Sequence, residues 1–131
     1  MKYINKKLSI ENVKVQNIAK KFGTPAYCYS YNQLKENINN FKRSFKSFSP
    51  LICFAIKSNT NVNLISEIRK LGLGADVVSM GELMKALKAG IKPNKIVFSG
   101  VGKTVEEIKY AINKKILLIN AESKSEIFEI E

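Results

Sequence analysis

A lysine closes the apolar run Leu51-Ile52-Cys53-Phe54-Ala55-Ile56, and two small polar residues, Ser58 and Asn59, follow it. An ammonium group is costly to bury. Where a protein accepts that cost, the buried amine becomes a nucleophile for carbonyl carbon. The alternative is a strand-end lysine that snorkels, keeping its stem on apolar surface and its charge in water. The run ending in Lys57 is compatible with both. Asp76 is a second unusual placement, between Ala75 and Val77-Val78. A buried carboxylate needs a partner. Backbone amides would make it a structural anchor; Lys57, or something bound to Lys57, would make it a charge partner. Gly100-Val101-Gly102-Lys103-Thr104 invites comparison with a phosphate-binding loop. That motif requires a glycine where Val97 stands, so a tight turn into a helix is the better account. Thr104 and Glu107 have the spacing of a capping box. A helix start of this kind can still meet an anion. Glu82 suits the start of its own helix and reads as structural. Cys53 reads as core, where a thiol is inert.

The elements that must position these residues alternate along the chain. Residues 13–22 have helical spacing and stop at Gly23-Thr24-Pro25. Residues 26–29 read as a short aromatic strand. Residues 31–48 read as a long helix with Leu34, Ile38, Phe41, Phe45 and Phe48 on one face, a stripe expected to pack in a core. A repeating unit follows. Strands are expected at 51–56, 75–78, 95–98 and 116–119, and helices at 61–71, 79–89 (closed by Gly90), 104–113 and from 123 onward. Continuous apolar strands separated by amphipathic helices indicate an α/β fold with a parallel sheet covered by helices. Units of regular length with short loops favour a (β/α) barrel over a doubly wound sheet. In such a barrel, chemistry sits at the C-terminal ends of the strands. Those ends here are Lys57-Ser58-Asn59, Asp76 to Ser79, Ser99 to Thr104, and Asn120-Ala121-Glu122. A closed eight-stranded barrel takes about 250 residues. The 131 residues supply about four βα units, so the expectation is the N-terminal part of a longer protein.

Composition narrows the class. The chain is 45% hydrophobic and 25% charged, which is globular rather than disordered. No apolar stretch approaches the length of a membrane helix, and the N-terminus lacks the features of a signal peptide. Cys28 and Cys53 lie far apart in apolar runs, which suggests reduced, buried thiols in a cytoplasmic protein. There is no histidine, which excludes a His-based triad or a His-ligated metal site within these residues. The net charge of +11 admits a nucleic-acid partner. The lysines are dispersed rather than gathered into an arm, so no nucleic-acid partner is expected.

Three blocks then carry a resemblance. Phe54-Ala55-Ile56-Lys57-Ser58-Asn59, followed by Leu64-Ile65, Ile68 and Gly72, resembles the pyridoxal-phosphate attachment signature of the decarboxylases built on a (β/α)8 barrel. Gly74-Ala75-Asp76-Val77-Val78-Ser79-Met80-Gly81-Glu82-Leu83 is similar to that family's next block, with Met80 where many members have glycine. Ile96-Val97-Phe98-Ser99-Gly100-Val101-Gly102-Lys103-Thr104 resembles the third, in the form typical of the diaminopimelate-decarboxylating branch. Alanine racemases share the barrel, but Ser58-Asn59-Thr60-Asn61 departs from the run that usually follows their lysine. Eukaryotic-type ornithine decarboxylases usually lack the third block in this form.

The resemblance implies a cofactor, pyridoxal 5'-phosphate, held by Lys57 as a Schiff base, with Asp76 near that lysine. It implies decarboxylation of meso-2,6-diaminopimelate to L-lysine and carbon dioxide, the last step of lysine biosynthesis, by a cytoplasmic homodimer. The alternatives are another barrel-type decarboxylase of basic amino acids and a non-catalytic basic binding module. Residues 1–30 would pack with a C-terminal β domain, and residues 31–131 would form the first half of the barrel. The family's ring-stacking histidine, phosphate-gripping glycine loop and substrate-holding arginine and tyrosine would come later in sequence. The 131 residues alone are therefore expected to be inactive.

Overall fold

The computed structural model describes residues 1–45 and 47–131. They divide into two compact units, Met1–Phe48 and Ser49–Glu131.

The first unit opens with a small antiparallel sheet, β1 (Lys2–Ile4), β2 (Lys7–Ile10) and β3 (Val13–Lys14), in that order. Asn5 and Lys6, both at positive φ, form the two-residue turn between β1 and β2. These strands were not expected; β2 does alternate, Lys7-Leu8-Ser9-Ile10, but over four residues only. Helix α1 (Val15–Phe22) starts two residues later than its periodicity suggests, because Val13 and Lys14 pair with Ile10 and Ser9. Residues 26–29 do not form the expected strand; they join no ladder, and Tyr27 is 92% exposed. Helix α2 (Tyr31–Ser44) is shorter than the expected 31–48. Ser30 caps it, accepting from the Gln33 amide at 3.1 Å. Glu11 accepts from the Ser30 hydroxyl and the Asn32 amide, each at 2.8 Å. Those bonds, the Asn32 amide first, hold its carboxyl below the ordinary value. Neither α1 nor α2 buries a residue. The stripe expected as core is half-buried at Leu34 and Ile38 and exposed at Phe41, Phe45 and Phe48.

The second unit is the repeating one. Strand β4 (Cys53–Ala55) leads through a 3-10 turn (Ile56–Ser58) to α3 (Val62–Lys70). Next come β5 (Gly74–Val77), α4 (Met80–Lys88), a second 3-10 turn (Pro93–Lys95), β6 (Ile96–Phe98), α5 (Val105–Asn113), β7 (Leu118–Ile119) and α6 (Lys124–Ile130). All four strands are parallel and in sequence order, β4-β5-β6-β7. A doubly wound sheet reverses its order at a switch point. Sequential order is that of a barrel wall, as the sequence suggested.

One face of the sheet packs on the helices. Ile56, Ala75, Val77, Ile96 and Phe98 form a continuous core with Ile65 of α3, Leu83 and Ala86 of α4 and Ala111 of α5. Alternation along a strand sends the intervening residues to the other face. These are Ala55, Asp76 and Val97, all half-buried, and Leu118, which is half exposed. Gly74 is needed where β5 meets the turn before β6, since a Cβ there would lie 2.2 Å from the Lys95 carbonyl oxygen.

Candidate active site

Strand register puts the chemistry-bearing residues in rows. Ala55 pairs with Asp76, Asp76 with Val97 and Val97 with Leu118, each 21 residues after the last. Two residues further along stand Lys57, Val78, Ser99 and Asn120, at the C-terminal ends of four adjacent strands. Parallel strands bring all four ends to one rim.

Lys57 lies in the 3-10 turn and its side chain is exposed. Of the two readings of Lys57, the structure shows the exposed strand-end lysine and not the buried amine. Strand β4 ends at Ala55, two residues short of it, and the turn lifts the lysine out of the apolar layer. Ser58 donates to the Ala55 carbonyl at 2.8 Å and the Asn59 amide to the Ile56 carbonyl at 2.9 Å, which fixes the turn. Asn61 caps α3 through the amides of Asn63 and Leu64. The Lys57 amine has no hydrogen bond or ion pair among the described residues, so it is available to a ligand.

Asp76 is half-buried on the helix-free face. Its partner is neither a backbone amide nor Lys57. The Ser99 hydroxyl donates to Asp76 Oδ1 at 2.6 Å, and Asn120 Nδ2 donates to Ser99 Oγ at 3.0 Å. Three successive strands thus share one polar chain. Cys53 is half-buried rather than fully buried, and its thiol is pushed up by burial and then by the Asp76 charge. Cys28, expected to be buried, is exposed.

The loops at this rim are tied together by repeated capping. Ser79, Thr104 and Ser123 each accept from the amide of a glutamate three residues on, Glu82, Glu107 and Glu126. Thr104 and Glu107 form the expected reciprocal box. Glu82 returns to the Val78 amide at 3.0 Å, a structural role as expected. Glu107 also reaches the Met80 amide of the preceding unit at 2.8 Å. That amide first, then Thr104, holds its carboxyl below the ordinary value. Lys103 is the strongest tie. Its side chain is fully buried, and Nζ donates to the Gly100 carbonyl at 2.6 Å, the Asn120 carbonyl at 2.8 Å and Glu126 Oε1 at 2.7 Å. Lys103 holds the Glu126 carboxyl below the ordinary value, with help from the Glu122 amide. A lysine committed to three acceptors is not a phosphate-reaching lysine, so the turn-and-cap account of this loop holds. Sequence reasoning missed the Asp76–Ser99–Asn120 chain and the Lys103–Glu126 pair, whose partners come together only through the parallel register.

The fold and rim define a segment of (β/α) barrel wall with a free amine at the end of its first strand. Comparison with known proteins gives the family. Residues 31–131 match the family described as pyridoxal-dependent decarboxylase, pyridoxal binding domain, and the chain belongs to that family. Diaminopimelate decarboxylase of Helicobacter pylori is 49% identical over 110 residues, covering 84% of this chain and 27% of that protein. The Aquifex aeolicus enzyme of the same name is 44% identical over 127 residues, covering 97% of this chain and 30% of that protein. The crystal structure of diaminopimelate decarboxylase from M. jannaschii in complex with L-lysine superposes with a TM-score of 0.94 at 36% identity, over 98% of this chain and 31% of that one. The chain thus spans about three tenths of the length of the relatives it matches. Among the described residues no helix is long and apolar enough to cross a membrane.

Proposed function

We propose that the protein carrying this chain decarboxylates meso-2,6-diaminopimelate to L-lysine and carbon dioxide, with pyridoxal 5'-phosphate attached at Lys57. The observation that carries this reading is the unpaired Lys57 amine at the C-terminal end of β4, in a chain 44% identical to a diaminopimelate decarboxylase over 97% of its length. A cofactor aldehyde needs an accessible primary amine, and the residues present fit that requirement. Bound pyridoxal phosphate supplies the sink for the electron pair left when carbon dioxide departs. Lys57 provides the covalent anchor from a turn whose backbone is closed by Ser58 and Asn59. Asp76 places a carboxylate on the helix-free face of the adjacent strand, and we assign it to the surroundings of whatever Lys57 carries. The lysine-bound neighbour supports lysine as the product.

The same reading makes the intact protein a cytoplasmic homodimer acting on a small amino acid rather than on nucleic acid or membrane. It assigns residues 1–30 to packing with a β domain and residues 31–131 to the barrel, supported by the family match over the latter. The test is reductive trapping. The intact protein carrying this chain, freed of cofactor, is mixed with pyridoxal phosphate, reduced with borohydride and mapped by peptide mass. The tag is expected on Lys57 in preference to the other lysines, and Lys57→Ala is expected to lose most of the total incorporation. Equal tagging of many surface lysines would overturn the assignment.

A further inference from the structure

We infer that Ser99 and Asn120 are positioning residues that hold the Asp76 carboxylate in one orientation at the site. The inference rests on the assignment of Lys57 and Asp76 and extends it across two more strands. Ser99 and Asn120 occupy equivalent places in consecutive units, each one residue past its strand. Their backbones are pinned to the neighbouring strand, the Ser99 amide to the Val77 carbonyl at 2.8 Å and the Asn120 amide to the Phe98 carbonyl at 2.9 Å. The Asn120 carbonyl is held in turn by the buried Lys103.

The chain of bonds has a direction. An amide Nδ2 can only donate, so Ser99 Oγ is the acceptor from Asn120. The hydroxyl has a single proton, and at 2.6 Å it is given to Asp76 Oδ1. One carboxylate oxygen is thereby fixed. Among the described residues no hydrogen bond reaches Oδ2, which remains for a ligand. Without Ser99 the carboxylate could rotate and offer either oxygen; without Asn120 the hydroxyl could turn its proton elsewhere. A group that orients another in this way acts on rate through geometry, where small misplacement has large effects.

Two readouts test it. The first is the side-chain carboxyl carbon-13 resonance of Asp76 in the labelled chain, whose spectrum also reports folding. Asn120→Ala is expected to shift that resonance when Ser99 is present and to leave it unmoved in a Ser99→Ala background. The same response in both backgrounds, or none in either, overturns the relay. The second is the rate of reductive trapping by pyridoxal phosphate at Lys57 in the intact protein, freed of cofactor. Ser99→Ala and Asn120→Ala are each expected to slow it about tenfold, and Ser99→Thr, which keeps the hydroxyl, to restore it. Unchanged rates in both alanine variants, with trapping abolished by Lys57→Ala, overturn the relay and leave the Lys57 assignment standing. Total incorporation that is unchanged in Lys57→Ala overturns the Lys57 assignment, and the carboxyl resonance then decides the relay without it.

Discussion

Replacing Lys103 by methionine removes a cation whose side chain has no exposure and whose three acceptors lie at 2.6, 2.8 and 2.7 Å. Methionine keeps the length and the apolar stem, so the change isolates the charge. Removing one partner of a buried pair costs about 3–5 kcal/mol. The lower end applies here. Glu126 keeps the Glu122 amide at 2.6 Å and is itself 10% exposed, so it is not left wholly unpaired. With a urea m-value of about 2 kcal/mol/M, a loss of about 3 kcal/mol lowers the unfolding midpoint by about 1.5 M. The assay is equilibrium urea unfolding of the chain followed by circular dichroism. A midpoint shift below about 0.3 M would place Lys103 in the range of an exposed ion pair and refute the argument from burial.

The pair also has a signature in pH and in combination. Glu126 lies below its ordinary value of 4.5 because Lys103 donates to it. A lowered folded value stabilises above the unfolded one, and that contribution is lost as pH falls through the folded value. The deficit of Lys103→Met is therefore expected in full at neutral pH and to shrink below pH 4.5, where Glu126 protonates in both proteins. Lys103→Met with Glu126→Gln is expected to cost less than the sum of the single changes, because contacting residues couple. Strict additivity would mean that Lys103 acts through the two carbonyls alone.

Other perturbations test the rim and the core beneath it. Gly74→Ala is expected to destabilise by about 2–3 kcal/mol in the same urea assay, since its Cβ would meet the Lys95 carbonyl oxygen at 2.2 Å and backbone cannot swing aside. Thr104→Ala removes one half of the capping box and should cost about 1 kcal/mol, read as a lower thermal midpoint. Glu107→Gln should flatten the fall in stability on acidification, because the wild-type carboxyl lies below 4.5 in the folded chain and its contribution disappears as pH drops through that value. In alkylation with iodoacetamide near neutral pH, exposed Cys28 should react first. Cys53, half-buried and with its thiol pushed up by burial and by Asp76, should lag by about tenfold or more.

The sequence was readable where periodicity and core agree. All four strands and four helices of the second unit lie within a few residues of their expected places, because each strand is a short apolar run and each helix begins at a capping residue. It was less readable in the first unit. Residues 26–29 have strand composition but no partner, and composition without a ladder does not make a strand. The aromatic stripe of α2 has core periodicity, yet Phe41 and Phe48 are exposed at 53% and 74%. Lys57 follows the first strand of the unit, and the choice between its buried and exposed readings depended on where β4 stops, because a 3-10 turn is a tertiary outcome rather than a propensity.

Asp76 shows why site chemistry resists reading from one segment. Its own surroundings, Ala75 and Val77, say only that a carboxylate sits in a strand. Its partner lies 23 residues away and that partner's partner a further 21. Neither interval has meaning until parallel register is known. Once it is, Ser99 falls on the strand beside Asp76 and Asn120 on the strand beside Ser99, because every unit has the same length. A one-residue slip of β7 against β6 would preserve the β5–β6 pairing and the Ser99–Asp76 bond while displacing Asn120. A repeat of fixed length is therefore what keeps three polar side chains from three units in bonding distance.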